Sequence, residues 1–306
     1  MPNSVKVAIV QDSPALLDLD ATLDKVAELS ASAAADGAQL VLFPEAFVGG
    51  YPRGLSFGCV VGDRNEDGRN LWLKYSQSCP AVDGPEYSQL ASVAAANKIW
   101  LAIGVVEREI SGSLYCSILY FSPAEKLAGR HRKLKPTASE RLIWSDADAK
   151  DSFAVVDTEF AKVGGLVCWE NYMPRARMAM YSQGVEIYLA PTADQRDRWQ
   201  NSMIHIALEG RCFVLSANQF VTKTSYPVEL QQHQDLAETP EVLCRGGSMI
   251  VGPMGNVIAE PLFDESGVIV AELDLDEIQK AKMDFDVIGH YARSDVFDFR
   301  VRDRHS

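Results

Sequence analysis

Residues 153–171 read FAVVDTEFAKVGGLVCWEN: two β-rich apolar runs around a turn, the second ending on a cysteine that meets Trp, Glu and Asn at once. The residues that follow, MPRARMAMYSQG (173–184), predict a helix, with Pro174 suited to its first turn and Gly184 to its end. Cys168 therefore lies at a strand-to-helix junction. A structural cysteine is usually flanked by more core, whereas a residue where a strand stops is placed as an exposed nucleophile would be.

The alternation extends in both directions. VEIYLAPT (185–192), the helical WQNSMIHIALEGR (199–211) and CFVLSANQF (212–220) repeat strand, helix, strand. Upstream, VKVAIVQ (5–11) and AQLVLFPE (38–45) are strands separated by Leu19, Leu23, Val26, Ala33 and Ala34 at helical spacing before Gly37. KIWLAIGVVE (98–107) and SLYCSILYFS (113–122), joined through REISG, predict an antiparallel pair, so the sheet is mixed. GGSMIVGP, NVIAEPL and GVIVAELDLD add three late strands. With no repeat, low-complexity tract or linker, residues 1–306 are expected to form a single domain. The stretches 48–70 and 225–242 read as long loops, which in a compact domain often cover a site or an interface.

Composition bounds the function. The chain has 306 residues, 47% of them hydrophobic, enough for a substantial core. A net charge of −13 repels phosphate backbones and anionic membrane surfaces, so neither nucleic acid nor membrane is expected as a partner. No apolar run approaches the roughly 18 residues of a membrane span, and MPNSVKVAIVQ does not read as a leader, which makes the cytoplasm the expected compartment. The six cysteines show no CxxC pair or regular spacing, so neither a zinc site nor a disulfide scaffold is indicated.

Three places could carry chemistry. Cys168 sits where α/β folds hold ligands, and a helix N-terminus there would favour its thiolate. HRKLKPTASER (131–141) puts four cations within five residues of an acidic protein; it is either a solvated surface run or a source of positive charge beside a thiol. Glu45 ends an apolar strand in LVLFPEAF (40–47), as a solvated cap or as a general base whose pKa partial burial would raise. His205 and Glu209 lie four apart but lack HExxH, and read as a salt-linked or core pair with no metal. His131 and His290 are the available histidine bases for a protease-like arrangement, although neither sits in a protease motif.

FPEAF, HRKLKPT and CWEN, in that order, resemble the Glu-Lys-Cys signature of the nitrilase superfamily, and CWEN with HRKLKPT resembles its true nitrilase branch. The likeness continues through EAFVGGYPRG, APTADQRDRWQNSMIHIALEGRCFVLSANQ, GGSMIVGPMGNVIAEP and DFDVIGHYARSDVF, nearly the whole chain. It implies an α/β fold, the four-layer α-β-β-α sandwich. It also implies Cys168 as nucleophile, Glu45 as general base, Lys133 as the stabilising cation and Glu140 as a second glutamate holding the lysine, with Lys135 left to the surface. Tyr51, Thr137, Trp144, Trp169 and Pro191 are implied to line or border the substrate cavity.

The reaction so implied is hydrolysis of a small-molecule nitrile to a carboxylic acid and ammonia through a thioimidate and a thioester, with no cofactor or metal. FVGGYPRGLSFG and APTADQRDRWQ are most similar to plant-type nitrilases and their bacterial relatives, which implies aliphatic or arylaliphatic nitriles. An amidase or carbamoylase, a cyanide-degrading enzyme and a non-catalytic binding protein on the same fold are the alternatives. Many nitrilases continue past the segment matching DFDVIGHYARSDVF; this chain ends at RVRDRHS, and a homodimer or short homo-oligomer is expected.

Overall fold

The computed structural model describes residues 3–124 and 126–301; both chain ends, on which the leader and assembly expectations rest, lie outside that range in part. In chain order the elements are β1 (Ser4–Gln11), α1 (Leu19–Ala35), β2 (Leu40–Leu42), α2 (Glu66–Gln77), α3 (Pro85–Asn97), β3 (Trp100–Arg108), β4 (Leu114–Ser122) and β5 (Lys126–Arg132). There follow β6 (Val155–Asp157), β7 (Lys162–Gly165), α4 (Pro174–Tyr181), β8 (Ile187–Leu189), α5 (Arg198–Gly210), β9 (Phe213–Ser216) and β10 (Phe220–Thr222). The last are α6 (Val228–Gln231), α7 (Gln234–Ala237), β11 (Val242–Val251), β12 (Val257–Phe263), β13 (Gly267–Asp274) and α8 (Asp276–Asp284).

Successive side chains of a strand point to opposite faces, and here both faces are apolar. Along β1, Val7 and Ile9 enter the central core while Ala8 and Val10 pack outward against Leu23 and Val26 of α1 and Leu90 and Ala94 of α3. Along β8, Ile187 and Leu189 face the same central core, while Tyr188 packs outward with Met180 of α4 and Trp199 and Met203 of α5. Two sheets thus meet face to face, each carrying helices on its outer side. This is the α-β-β-α sandwich, and it follows from strands buried on both faces.

The sheets are mixed, as expected. One has the order β13-β1-β2-β3-β4-β5, the other β10-β11-β9-β8-β7-β6, with β12 also paired to β11. At their centres β1, β2 and β3 run parallel, as do β7, β8 and β9, with Val7 opposite Leu40 and Val163 opposite Ile187. The chain leaves β2 and β7 through two tight turns, where Ala46 and Cys168 both hold φ near +50°. Side chains seldom adopt that conformation. Glycines clear the space: a Cβ on Gly104 would lie 2.1 Å from Pro44 O, and one on Gly165 would lie 1.9 Å from Leu189 O.

The long-loop reading of 48–70 and 225–242 is corrected in part. Residues 66–70 already belong to α2, capped by Asn65 Oδ1, which accepts from Gly68 N at 2.7 Å, and 225–242 contains the short α6 and α7. The two stretches close on each other: Ser56 N and Oγ donate to Asp235 Oδ2 at 2.8 and 2.9 Å, and Tyr226 OH donates to Arg53 O at 2.8 Å.

Candidate active site

The side chains singled out in the sequence gather where strands end. Glu45 follows β2, Lys133 follows β5 and Cys168 follows β7, so one sheet delivers the carboxylate and the lysine and the other the cysteine to a common point. Lys133 Nζ donates to Glu45 Oε1 and to Glu140 Oε2, both at 2.7 Å. Glu140 lies in a 3-10 turn (Ala138–Leu142), accepts from Thr137 N at 2.6 Å and takes the Tyr51 hydroxyl on Oε1 at 2.7 Å. Glu45 O accepts from Gln219 Nε2 at 2.8 Å, and Glu45 Oε1 also accepts from the Cys116 thiol at 3.6 Å. Its other oxygen, Oε2, is buried without a hydrogen-bond partner among the described residues.

Cys168 opens a second 3-10 turn (Cys168–Tyr172). Its N–H donates to Pro191 O at 2.8 Å, its sulfur accepts from Thr192 Oγ1 at 3.3 Å, and its carbonyl is held by Asn171 Nδ2 at 2.8 Å. The exposed nucleophile expected from the sequence is corrected: Cys168 is 4% exposed. The thiolate expected from the helix dipole is corrected too. Burial, then the Glu45 charge, push the thiol well above its usual range despite the opposing pull of Lys133, and α4 starts only at Pro174. Both effects favour the neutral thiol, whose proton needs an acceptor.

Electrostatics select that acceptor. Burial raises Glu45 above the ordinary carboxylate range; Lys133 opposes this, and the Glu140 charge adds to it. Burial works against the Lys133 charge, but Glu45, the Cys168 and Cys116 sulfurs and Glu140 outweigh it, so the ammonium is held far above the usual lysine range. One cation, favoured in its charged form, thus sits between two carboxylates, of which Glu45 is held less acidic than usual.

Of the residues implied to border the cavity, Tyr51 and Trp144 line a cleft of about 470 Å³ with Arg53, Phe57, Glu140 and Ile143. Trp144 Nε1 donates to Tyr75 OH and its ring meets Tyr51 edge-on at 5.5 Å. Trp169 is 40% exposed, donates Nε1 to Asp194 Oδ2 at 2.9 Å and stacks under the Arg196 guanidinium. Thr137 contributes its backbone to the Glu140 turn, and Pro191 contributes its carbonyl to Cys168.

The basic run is internal. Arg132 pairs with buried Glu107 at 3.0 Å and with Glu109 at 2.7 Å, and among the lysines of this run Lys135 alone reaches solvent, paired to Asp146. His131 Nδ1 accepts from Phe153 N, which leaves Nε2 to donate to Glu170 Oε2 at 2.9 Å, so both ring nitrogens are engaged away from Cys168. His205 approaches Glu209 at 3.7 Å, while Glu209 chiefly holds Arg177 at 2.6 Å. Among the described residues no group of three or more His, Cys, Asp or Glu could hold a metal. Gln219, Thr192, Cys116 and Asn171 were not foreseen as site residues; each acts through position in the fold, although Asn171 lies inside CWEN and Thr192 and Gln219 lie inside the stretch APTADQRDRWQNSMIHIALEGRCFVLSANQ.

A buried thiol, a carboxylate and an ammonium on an α-β-β-α sandwich define a cysteine hydrolase that acts on carbon–nitrogen bonds. Residues 6–283 match the carbon-nitrogen hydrolase family, and the chain belongs to it, as an enzyme of the nitrilase type. It is 50% identical over 98% of its length to a bifunctional nitrilase/nitrile hydratase, NIT4B, of Nicotiana tabacum, 86% of which is covered. It is 44% identical over 99% of its length to an arylacetonitrilase of Trametes versicolor, 98% of which is covered. Its fold matches that of a carbon-nitrogen hydrolase from Helicobacter pylori with a TM-score of 0.74 at 19% identity, covering 96% of this chain and 97% of that one.

Proposed function

We propose that the enzyme hydrolyses R–C≡N to R–COOH and ammonia, with Cys168 as nucleophile, Glu45 as general base, Lys133 as electrostatic stabiliser and Glu140 holding the lysine. The observation that carries the assignment is the Lys133 ammonium bonded to Glu45 and Glu140 beside a buried thiol. Glu45 takes the Cys168 proton and the sulfur bonds to the nitrile carbon. The nitrogen, its negative charge met by Lys133 and the Trp169 backbone N–H, takes that proton back from Glu45 to give a thioimidate.

Water then adds to the thioimidate carbon while Glu45 takes a proton. The tetrahedral adduct expels ammonia as the C–N bond breaks, leaving a thioester. A second water displaces Cys168 as a thiol and releases the acid. Should the adduct instead break its C–S bond, the product is the amide. That partition is part of this reading, supported by the likeness to relatives named as both nitrilase and nitrile hydratase.

The aromatic walls of the cleft, Tyr51, Phe57 and Trp144, suit an apolar side chain on an aliphatic or arylaliphatic nitrile. Thr137, Trp169 and Pro191 are assigned to its border. The test is ammonia, acid and amide release from 3-phenylpropionitrile, succinonitrile, benzonitrile, cyanide and 3-phenylpropionamide, with Cys168→Ala as control. Turnover of the amide without its nitrile would move the enzyme to the amidase branch.

Residues 1–306 are read as one domain working in the cytoplasm as a homodimer or short homo-oligomer. No described helix is long and apolar enough to cross a membrane. For assembly, support comes from a cleft of about 900 Å³ lined by Met178 of α4, Tyr291, Val296 and Phe297, the last 69% exposed, and edged by Arg175, Asp298 and Arg300. Light scattering showing a monomer or a particle of many subunits would contradict it.

A further inference from the structure

Glu170, the third residue of CWEN, is 1% exposed and takes no part in the chemistry above. Its two oxygens are nevertheless fully engaged. Oε1 accepts from Leu134 N at 2.7 Å; Oε2 accepts from Val167 N at 2.7 Å and meets His131 Nε2 at 2.9 Å. Leu134 directly follows Lys133 and Val167 directly precedes Cys168. One carboxylate therefore clamps two amides, each a single residue from a group of the proposed reaction, with Leu134 lying 36 positions before Glu170 in sequence.

We propose that Glu170 is a positioning residue that sets the distance between the Lys133 ammonium and the Cys168 sulfur. On its other side Lys133 is fixed by its own N–H, which donates to Cys116 O at 2.7 Å, so Glu170 completes the hold on that strand end. Only a carboxylate serves. All three groups facing it have N–H bonds to give, whereas an amide would turn an NH2 toward one of the two backbone donors. Glu140 works in the same way at the other 3-10 turn: it accepts the N–H at the start of its own turn, then reaches out, there to Lys133.

The turn around Cys168 does not depend on Glu170 alone. Asn171 Nδ2 donates to Leu166 O at 3.0 Å and to Cys168 O, Asn171 Oδ1 accepts from Tyr188 OH at 2.8 Å, and Cys168 N is held by Pro191. Glu170→Gln should therefore fold with its two catalytic segments untethered.

This inference rests on the reaction proposed above, so the experiment separates the two. Wild type and Cys168→Ala are assayed on one nitrile alongside Glu170→Gln, each checked by circular dichroism and thermal melting. Wild-type turnover absent, or retained in Cys168→Ala, sinks the reaction itself. With both as expected, Glu170→Gln should lose about 10- to 100-fold in kcat with KM changed less than about threefold, since a displacement near 1 Å costs on the order of a hundredfold. Folded Glu170→Gln protein with wild-type kcat overturns the positioning role, as does an equal loss spread over KM. Should Glu170→Gln not fold, Glu170→Asp, which keeps a carboxylate able to serve its own turn but falls short of Leu134, must show the same kcat-selective loss. Failure of both to fold makes the residue purely structural and ends the proposal.

Discussion

Lys133 Nζ lies 2.7 Å from Glu45 Oε1, and neither side chain reaches solvent. In water such a pair contributes little; buried, each partner depends on the other for its charge. Lys133→Met should therefore destabilise the protein by about 3–5 kcal/mol at neutral pH, because two buried carboxylates lose their counter-charge. The sign with pH follows from the direction of the shift. Without Lys133, which now pulls Glu45 down, its folded-state pKa moves further above the unfolded value, so stability falls as pH rises through that window. Urea melts of the variant should show a smaller deficit at pH 5 than at pH 8; an equal deficit at both would refute the coupling.

The same shift predicts the acid limb of the pH–rate profile. Glu45 must be ionised to take the thiol proton, and burial raises its pKa, so kcat/KM should fall off at a pH above the ordinary carboxylate value. The Glu140 charge contributes to that rise, and the residual activity of Glu140→Gln should have its acid limb displaced to lower pH. A limb that stays put or moves up means that Glu45 is not the group being titrated.

Tyr51 tests how much the second glutamate matters. Its hydroxyl donates to Glu140 Oε1 at 2.7 Å, and Tyr51→Phe removes that bond while keeping the ring against Trp144. A hydrogen bond to a charged group contributes about 1.5–3 kcal/mol to stability, so Tyr51→Phe should melt a few degrees lower, and kcat should drop about tenfold as Glu140 loses its hold beside Lys133. Undiminished kcat would show Tyr51 to be only a wall of the cleft.

Gly104 lies on β3, yet its predicted effect is on Glu45. A Cβ there would press on Pro44 O at 2.1 Å and on the Glu45 Cα at 2.7 Å. Gly104→Ala should cost about 1–3 kcal/mol by overpacking and lower kcat by moving the base. Crystals of an active variant with Glu45 unmoved would disprove the link.

The central strands were legible because their faces are apolar on both sides, and Glu45 and Cys168 because each ends such a run; Lys133 follows the polar strand β5, and only the resemblance of HRKLKPT singled it out. Helix α3 went unassigned although Tyr87, Leu90, Ala91 and Ala94 form its buried face; its alanines carry too little hydrophobic contrast to stand out. Helix α2 hid behind the Glu66, Asp67 and Gly68 that begin it. The burial of Cys168 could not be read: the junction suggested exposure, whereas the turn buries the sulfur, and that burial pushes its pKa up. Thr192 lies past β8, Gln219 just before β10 and Cys116 within β4, each far in sequence from the residue it meets, and long-range contacts of that kind leave no local pattern.

The most direct measurement is intact-mass analysis of enzyme quenched in acid during turnover of 3-phenylpropionitrile, followed by peptide mapping. The account predicts an added acyl group on the peptide carrying Cys168, absent from Cys168→Ala, which should also release no ammonia. Ammonia released with no adduct on that peptide, together with continued turnover by Cys168→Ala, would contradict it.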